Sequence, residues 1–143
     1  MRDYQQRKVY RWEDSVVASR LRDDTITFED AQTFINGVWL SMGLMHPPLI
    51  DKMAAQATKV FACANREFVK IREQTPKWII IHELAHSMAA EGEGHGPDFV
   101  GIYIKLLQKV LGFPVPVAMY TLKEAGIDFN LGAKPHHGID NFS

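Results

Sequence analysis

Apolar residues return at loosely helical spacing from roughly Asp3 to Leu21, where Tyr4, Val9, Tyr10, Trp12, Val16, Val17 and Leu21 interleave with Arg7, Lys8, Arg11 and Arg20. This rhythm predicts an amphipathic helix. Asp3, Glu13 and Asp14 are scattered among the cations, so the charged positions read as a solvated face rather than a phosphate-binding patch. A second helix is signalled more sharply. Thr27 can cap it, Glu29 and Asp30 occupy its first turn, and Ala31, Phe34, Ile35, Val38, Trp39 and Met42 form one buried stripe. Gly43 ends this stripe, and His46-Pro47-Pro48 reads as a loop.

The rhythm then changes. Between about Thr58 and Arg72, Val60 to Cys63 and then Phe68, Val69 and Ile71, alternating with Lys70 and Arg72, predict a short hairpin or two neighbouring strands. Cys63 lies among apolar neighbours and reads as a buried, inert thiol. Helical spacing resumes after Thr75-Pro76, read as N-cap and first helical residue, and continues to about Ala90. Gly92-Glu93-Gly94-His95-Gly96 breaks it. Pro97 opens another helix carrying Phe99, Val100, Tyr103, Leu106, Leu107, Val110 and Leu111, closed by Gly112. A shorter helix is expected around Tyr120 to Ala125, and the tail from Asn130 has no periodicity.

Composition fits one soluble domain spanning 1–143: 143 residues, 46% hydrophobic, 23% charged. The expected divisions are a helical part over 1–57, strands over 58–74, helices over 75–129 and an irregular tail over 130–143. The fold class is therefore α+β, with helices packed on a small sheet. Sixteen basic against seventeen acidic residues leave a net charge of -1, which offers no clear nucleic-acid surface and no attraction to an anionic membrane. A single cysteine excludes an internal disulfide framework, and the polar opening Met1–Gln6 is unlike a secretory signal. A cytoplasmic location is the expectation.

Chemistry concentrates in His82-Glu83-Leu84-Ala85-His86, an HExxH sequence. Residues four apart share a helix face, with Cβ atoms about 5–6 Å apart, so both imidazoles can point a nitrogen at one metal ion. Glu83 is turned about 100° around the helix from His82, beside the metal's open position, where its carboxylate can take a proton from a metal-bound water. Ile79, Ile80, Ile81, Leu84 and Ala85 flank the motif, which places it on a central helix. A catalytic zinc takes three protein ligands and leaves a fourth place for water. His95, separated from His86 by eight residues and set between Gly94 and Gly96, is the best candidate for the third. Glu91, Glu93 and Asp98 compete. The two glutamates are expected to face water, and Asp98 to stabilise the following helix's first turn. For an oxyanion-stabilising group, Tyr103, Tyr120, His136 and His137 are worth checking. Core packing is the commoner role for Tyr103, and the two histidines read as incidental surface residues.

With His95-Gly96-Pro97-Asp98-Phe99 downstream, the HExxH sequence resembles the zincin metallopeptidases, specifically the SprT-like branch, in which a His-Gly-Pro-Glu-Phe-like sequence supplies the third ligand. Arg2–Tyr10 and Pro76–Ile81 are also similar to a family of small metallohydrolase-like proteins of bacteria and their phages. The close resemblance spans about Pro76 to Gly112. It implies a minimal zincin core holding one Zn2+ on His82, His86 and His95, with Glu83 catalytic and a peptide or protein as substrate. It also implies a small sheet before the active helix, whose edge strand, Phe68 to Arg72 or its neighbour, would bind an extended peptide by strand addition. The chain departs from related patterns at Ala89 and Gly92, where metzincins carry glycine and histidine, and it lacks a zinc ribbon and a strong basic surface. The expected function is a zinc-dependent peptidase using a zinc-bound water activated by Glu83. The alternative is a zinc-stabilised, non-catalytic binding or regulatory module. Oligomeric state is not legible.

Overall fold

The computed structural model describes residues 3–53, 62–64 and 67–136. It is a mixed α+β structure in which helices α1 (Gln6–Trp12), α2 (Ala18–Leu21), α3 (Phe28–Ser41), α4 (Lys77–Met88), α5 (Pro97–Leu111) and α6 (Val115–Glu124) accompany strands β1 (Thr25–Thr27), β2 (Leu49–Lys52), β3 (Ala62–Ala64), β4 (Phe68–Ile71) and β5 (Gln74–Pro76). The HExxH sequence lies on α4, whose Ile80, Ile81, Leu84, Ala85 and Met88 are all buried. This helix is apolar nearly all round because it packs on α5, on β3, β4 and β5, and on α2 and α3. Among the described residues, no helix is long and apolar enough to cross a membrane.

Several expectations shift in detail. The N-terminal helix begins at Gln6 rather than Asp3, and α1 and α2 are joined by a π-helical turn over Glu13–Val17. A π turn inserts one extra residue and rotates the following side chains, which no 3.6-residue periodicity anticipates. Thr27 does cap α3, its Oγ1 accepting from the Asp30 N–H at 3.3 Å, and Ala31, Ile35, Val38 and Trp39 are buried. Gly43 ends that helix with φ +78°, the left-handed region where a Cβ is strained.

Thr75, expected as the α4 cap, is instead the buried middle residue of β5, and Pro76 holds the N-cap position without a side-chain cap bond. The α6 helix starts five residues before the expected Tyr120, at Val115, because Pro114 and Pro116 are compatible with a helix's first positions.

The strands form two small sheets. β1 pairs antiparallel with β5, opposing Ile26 and Thr75. The other sheet has the order β2-β4-β3, with β2 parallel and β3 antiparallel to β4. Strands therefore also occur inside the stretch expected to be the helical part, at 25–27 and 49–52. β4, alternating exposed and buried along Phe68–Ile71, is the central strand and pairs on both sides, so the edge nearest α4 belongs to β3 rather than to Phe68–Arg72. The expected strand residues Thr58–Phe61 and the side chain of Cys63 lie outside the described residues.

The tail is ordered by packing rather than periodicity. Asn130 N–H donates to the Pro97 carbonyl at 3.0 Å, His136 N–H donates to the Met88 carbonyl at 2.7 Å, and Ala133 is buried. Residues 137–143, His137 among them, lie outside the described residues. The close approach of the tail to α5 depends on Gly101, where a Cβ would collide with the Asn130 carbonyl oxygen. Gly101→Ala is therefore expected to lower stability by about 1–3 kcal/mol, the usual range for overpacking. Urea unfolding checks this, and hydrogen exchange should localise the loosening to the Asn130 segment.

Candidate metal centre

Helix α4 presents His82 and His86 one turn apart, and the loop after it returns His95 to the same point. The potential ligand atoms of the three imidazoles lie within 4.8 Å of one another, with His86 Nε2 and His95 Nε2 3.1 Å apart. His82 and His95 are buried and His86 half-buried. The return depends on two glycines. Gly92 and Gly94 have φ +87° and +59°, which lets the chain reverse within a few residues of Met88. At Gly94 a Cβ would also lie 2.7 Å from the Asp3 carboxylate.

Each buried imidazole is oriented from behind by a carboxylate. His82 Nδ1 bonds Glu13 Oε2, which also accepts the Tyr103 O–H at 2.7 Å. His95 Nδ1 bonds Asp3 Oδ2 at 2.7 Å, and the same oxygen accepts the His95 backbone N–H at 3.1 Å. A carboxylate only accepts, so both Nδ1 atoms carry protons, and in the neutral form of each ring the Nε2 lone pair is the one left to coordinate. Gln5 completes the cradle: its fully buried amide donates to the His95 carbonyl at 2.9 Å and accepts from the Asp128 N–H at 2.7 Å. Phe99 closes the inner side, stacking on His86 with ring centroids 4.2 Å apart.

These positions correct the expectation that Asp3 and Glu13 belong to a solvated face; only Asp14 of the three is exposed. Glu13 is 3% exposed and opens the π turn. The helical rhythm made it one charge among several, and no local signal distinguishes it from Asp14. Nor does the sequence mark Gln5 or the backing role of Tyr103. Tyr103 is buried, as its core position implied, with its hydroxyl committed to Glu13.

The competing ligands lie elsewhere. The Glu93 carboxylate, rather than simply facing water, accepts from the Asp98 and Phe99 N–H groups at 2.9 and 3.4 Å and caps α5. Asp98 sits in the first turn of α5 as expected and accepts from Asn130 Nδ2 at 2.9 Å. Tyr120 is exposed on α6, beside Lys8 and Arg11.

The donor set fits a cation. Burial, reinforced by the neighbouring His82 and His95, pushes His86 down to about 3, so its imidazole is neutral near pH 7 and can coordinate. Burial also depresses His82, but the Glu13 hydrogen bond and charge, aided by Glu83, outweigh it and leave His82 raised. The facing His86 and His95 Nε2 atoms stand within hydrogen-bond reach of each other, a spacing that a shared cation also fits. Their 3.1 Å spacing is close to the about 3.3 Å edge of a tetrahedron with Zn–N near 2.0–2.1 Å. Three histidines close enough to bind a metal ion are thus in place.

Glu83 stands on the same helix. Burial raises it to about 7, partly offset by His82 and reinforced by the Glu13 charge. A cleft of about 460 Å3 reaches His86 from the surface, walled by Ser87, Ala89, Glu91 and Gly94 and by Glu67 at the start of β4.

Compared with known proteins, the chain matches no family model, no curated protein and no solved structure. The centre therefore stands on its own geometry.

Replacing the Glu13 carboxylate with an amide should loosen His82, because a neutral amide oxygen is a weaker acceptor than the carboxylate for the His82 N–H and the Tyr103 O–H. Glu13→Gln is expected to weaken divalent-metal binding about 10–100-fold, the usual effect of losing a carboxylate behind a ligating imidazole. Tyr103→Phe, which keeps the Glu13–His82 bond, should weaken it less. Competition with a chromophoric chelator measures both, and equal affinity in Glu13→Gln and the unmodified protein would contradict the assigned role.

Proposed function

We propose that the chain is a zinc-dependent metallohydrolase, in its most concrete form a cytoplasmic peptidase of the SprT-like zincin kind. The observation that carries this reading is the convergence of His82, His86 and His95, with Glu83 beside them on one helix. A trio of imidazoles is the ligand set of a catalytic zinc, which leaves a coordination place for water, whereas a closed structural site takes four protein donors. Asp98 and Glu93, two of the acidic candidates for a fourth, are engaged at the α5 N-terminus.

A zinc ion bound there would supply Lewis acidity and lower the pKa of its water towards neutrality. The chain's own residues do the rest. Glu83 accepts the proton of the attacking water and returns it to the leaving amine. A carboxyl group held near pH 7 suits both steps, because it neither keeps nor releases the proton too strongly. Glu13 and Asp3 hold the ligating rings so that little reorganisation accompanies the reaction. The cleft opens to the surface beside His86, and β3, at one end of its sheet and packed by α4, supports strand addition as the mode of substrate binding. That open geometry supports the proposal of a peptide or protein substrate.

Glu83→Gln should retain one zinc per chain by elemental analysis while hydrolysis of a casein substrate falls about 10²–10⁴-fold, the range for losing a general base. Chelation should abolish hydrolysis and added zinc restore it. Protein purified from zinc-replete cells without stoichiometric zinc would sink the reading. Full zinc loading without hydrolysis of any peptide library would favour the non-catalytic module.

A further inference from the structure

Hydrolysis of an amide places negative charge on the former carbonyl oxygen, and a preorganised donor aimed at that charge is commonly worth a large share of the rate. The chain has four tyrosines. Tyr103 is fully buried and donates to Glu13. Tyr4 donates to Asp128 Oδ2 at 3.2 Å. Tyr120 lines a separate groove with Lys8, Arg11 and Trp12. Tyr103 also packs on His82, with ring centroids 5.3 Å apart, so Tyr10 differs from all three in its uncommitted hydroxyl rather than in ring contact alone. Its ring packs edge-on against His95 with centroids 5.0 Å apart, and lies nearly parallel to His82 at 6.1 Å. It is 45% exposed, and its hydroxyl has no hydrogen-bond partner among the described residues.

Tyr10 precedes Glu13 by three residues, so one turn of the N-terminal helix carries both the carboxylate behind His82 and the phenol beside it. Of the four tyrosines, Tyr10 is the one that combines ring contact with two candidate ligands, partial exposure and an O–H uncommitted among the described residues.

Building on the hydrolase reading above, we propose that Tyr10 is a catalytic residue whose neutral O–H donates a hydrogen bond to the oxyanion of the substrate. When the water oxygen bonds to the carbonyl carbon, the carbonyl π pair moves onto oxygen, and Tyr10 stabilises that charge without giving up its proton. Glu83 keeps the proton taken from water. As the carbonyl re-forms, the C–N bond breaks and Glu83 delivers the proton to nitrogen, leaving Tyr10 unchanged.

The test uses the full chain loaded with Co2+, whose visible spectrum reports both metal binding and the arrival of an oxyanion. Tyr10→Phe preserves the ring that packs on His95, so Co2+ affinity should stay within about twofold of the unmodified protein. Acetohydroxamate, added as an oxyanion probe, should bind about tenfold more weakly to the variant, as expected for one lost hydrogen bond to a charged group. Equal acetohydroxamate affinity in both proteins overturns the proposal. A parallel loss of Co2+ affinity overturns it too, because it would make Tyr10 a ligand or a structural support. If the unmodified protein shows no cobalt spectrum, the metal reading itself fails and this proposal falls with it.

Discussion

The structure turns on a desolvation problem: two buried imidazoles and one half-buried imidazole bring their potential ligand nitrogens together at one point. A neutral ring can sit so only if its other nitrogen is satisfied and its orientation fixed, because a buried polar atom without a partner is costly. Glu13 and Asp3 meet that requirement for His82 and His95. Both come from the N-terminal segment, while the rings come from α4 and the loop behind it. The centre is therefore assembled by tertiary docking, and the stretch that looks most like a surface helix is part of its inner wall.

That docking explains two local irregularities. The π turn over Glu13–Val17 brings Glu13 inward while Val17 is still buried and Asp14 stays in water. Such turns are uncommon and persist where packing holds them, here through the bonds from His82 and Tyr103 to one carboxylate oxygen. The loop around His95 is also bent by its contacts. Gly94 makes room for Asp3, Glu93 turns back to cap α5, and Gln5 ties the His95 carbonyl to the chain at Asp128.

Much of the architecture was legible because it follows from short-range physics. The stripe from Ala31 to Trp39, the Thr27 cap and the Gly112 stop are settled by neighbours in sequence, and α3 and α5 appear close to where spacing put them. The strands at 25–27 and 49–52 were not legible. Each is too short to show alternation, and each is a strand only because a distant partner, β5 or β4, supplies its hydrogen bonds. Thr75 failed as a cap for the same reason, since pairing with Ile26 holds it in extended backbone.

The amino-acid order alone determined which residues can coordinate, because the spacing of His82 and His86 on a helix dictates a shared face whatever surrounds it. It also determined that a glycine-rich reversal would follow, since Gly92 and Gly94 adopt backbone angles that other residues resist. Folding in three dimensions decided what stands behind and beside those rings. Asp3, Gln5, Tyr10 and Glu13 are separated from His82 by about seventy residues or more, so their contacts depend on how the N-terminal helix docks on α4 and α5. Periodicity describes how one helix relates to its own faces and carries no term for which buried ring a carboxylate on another helix will meet.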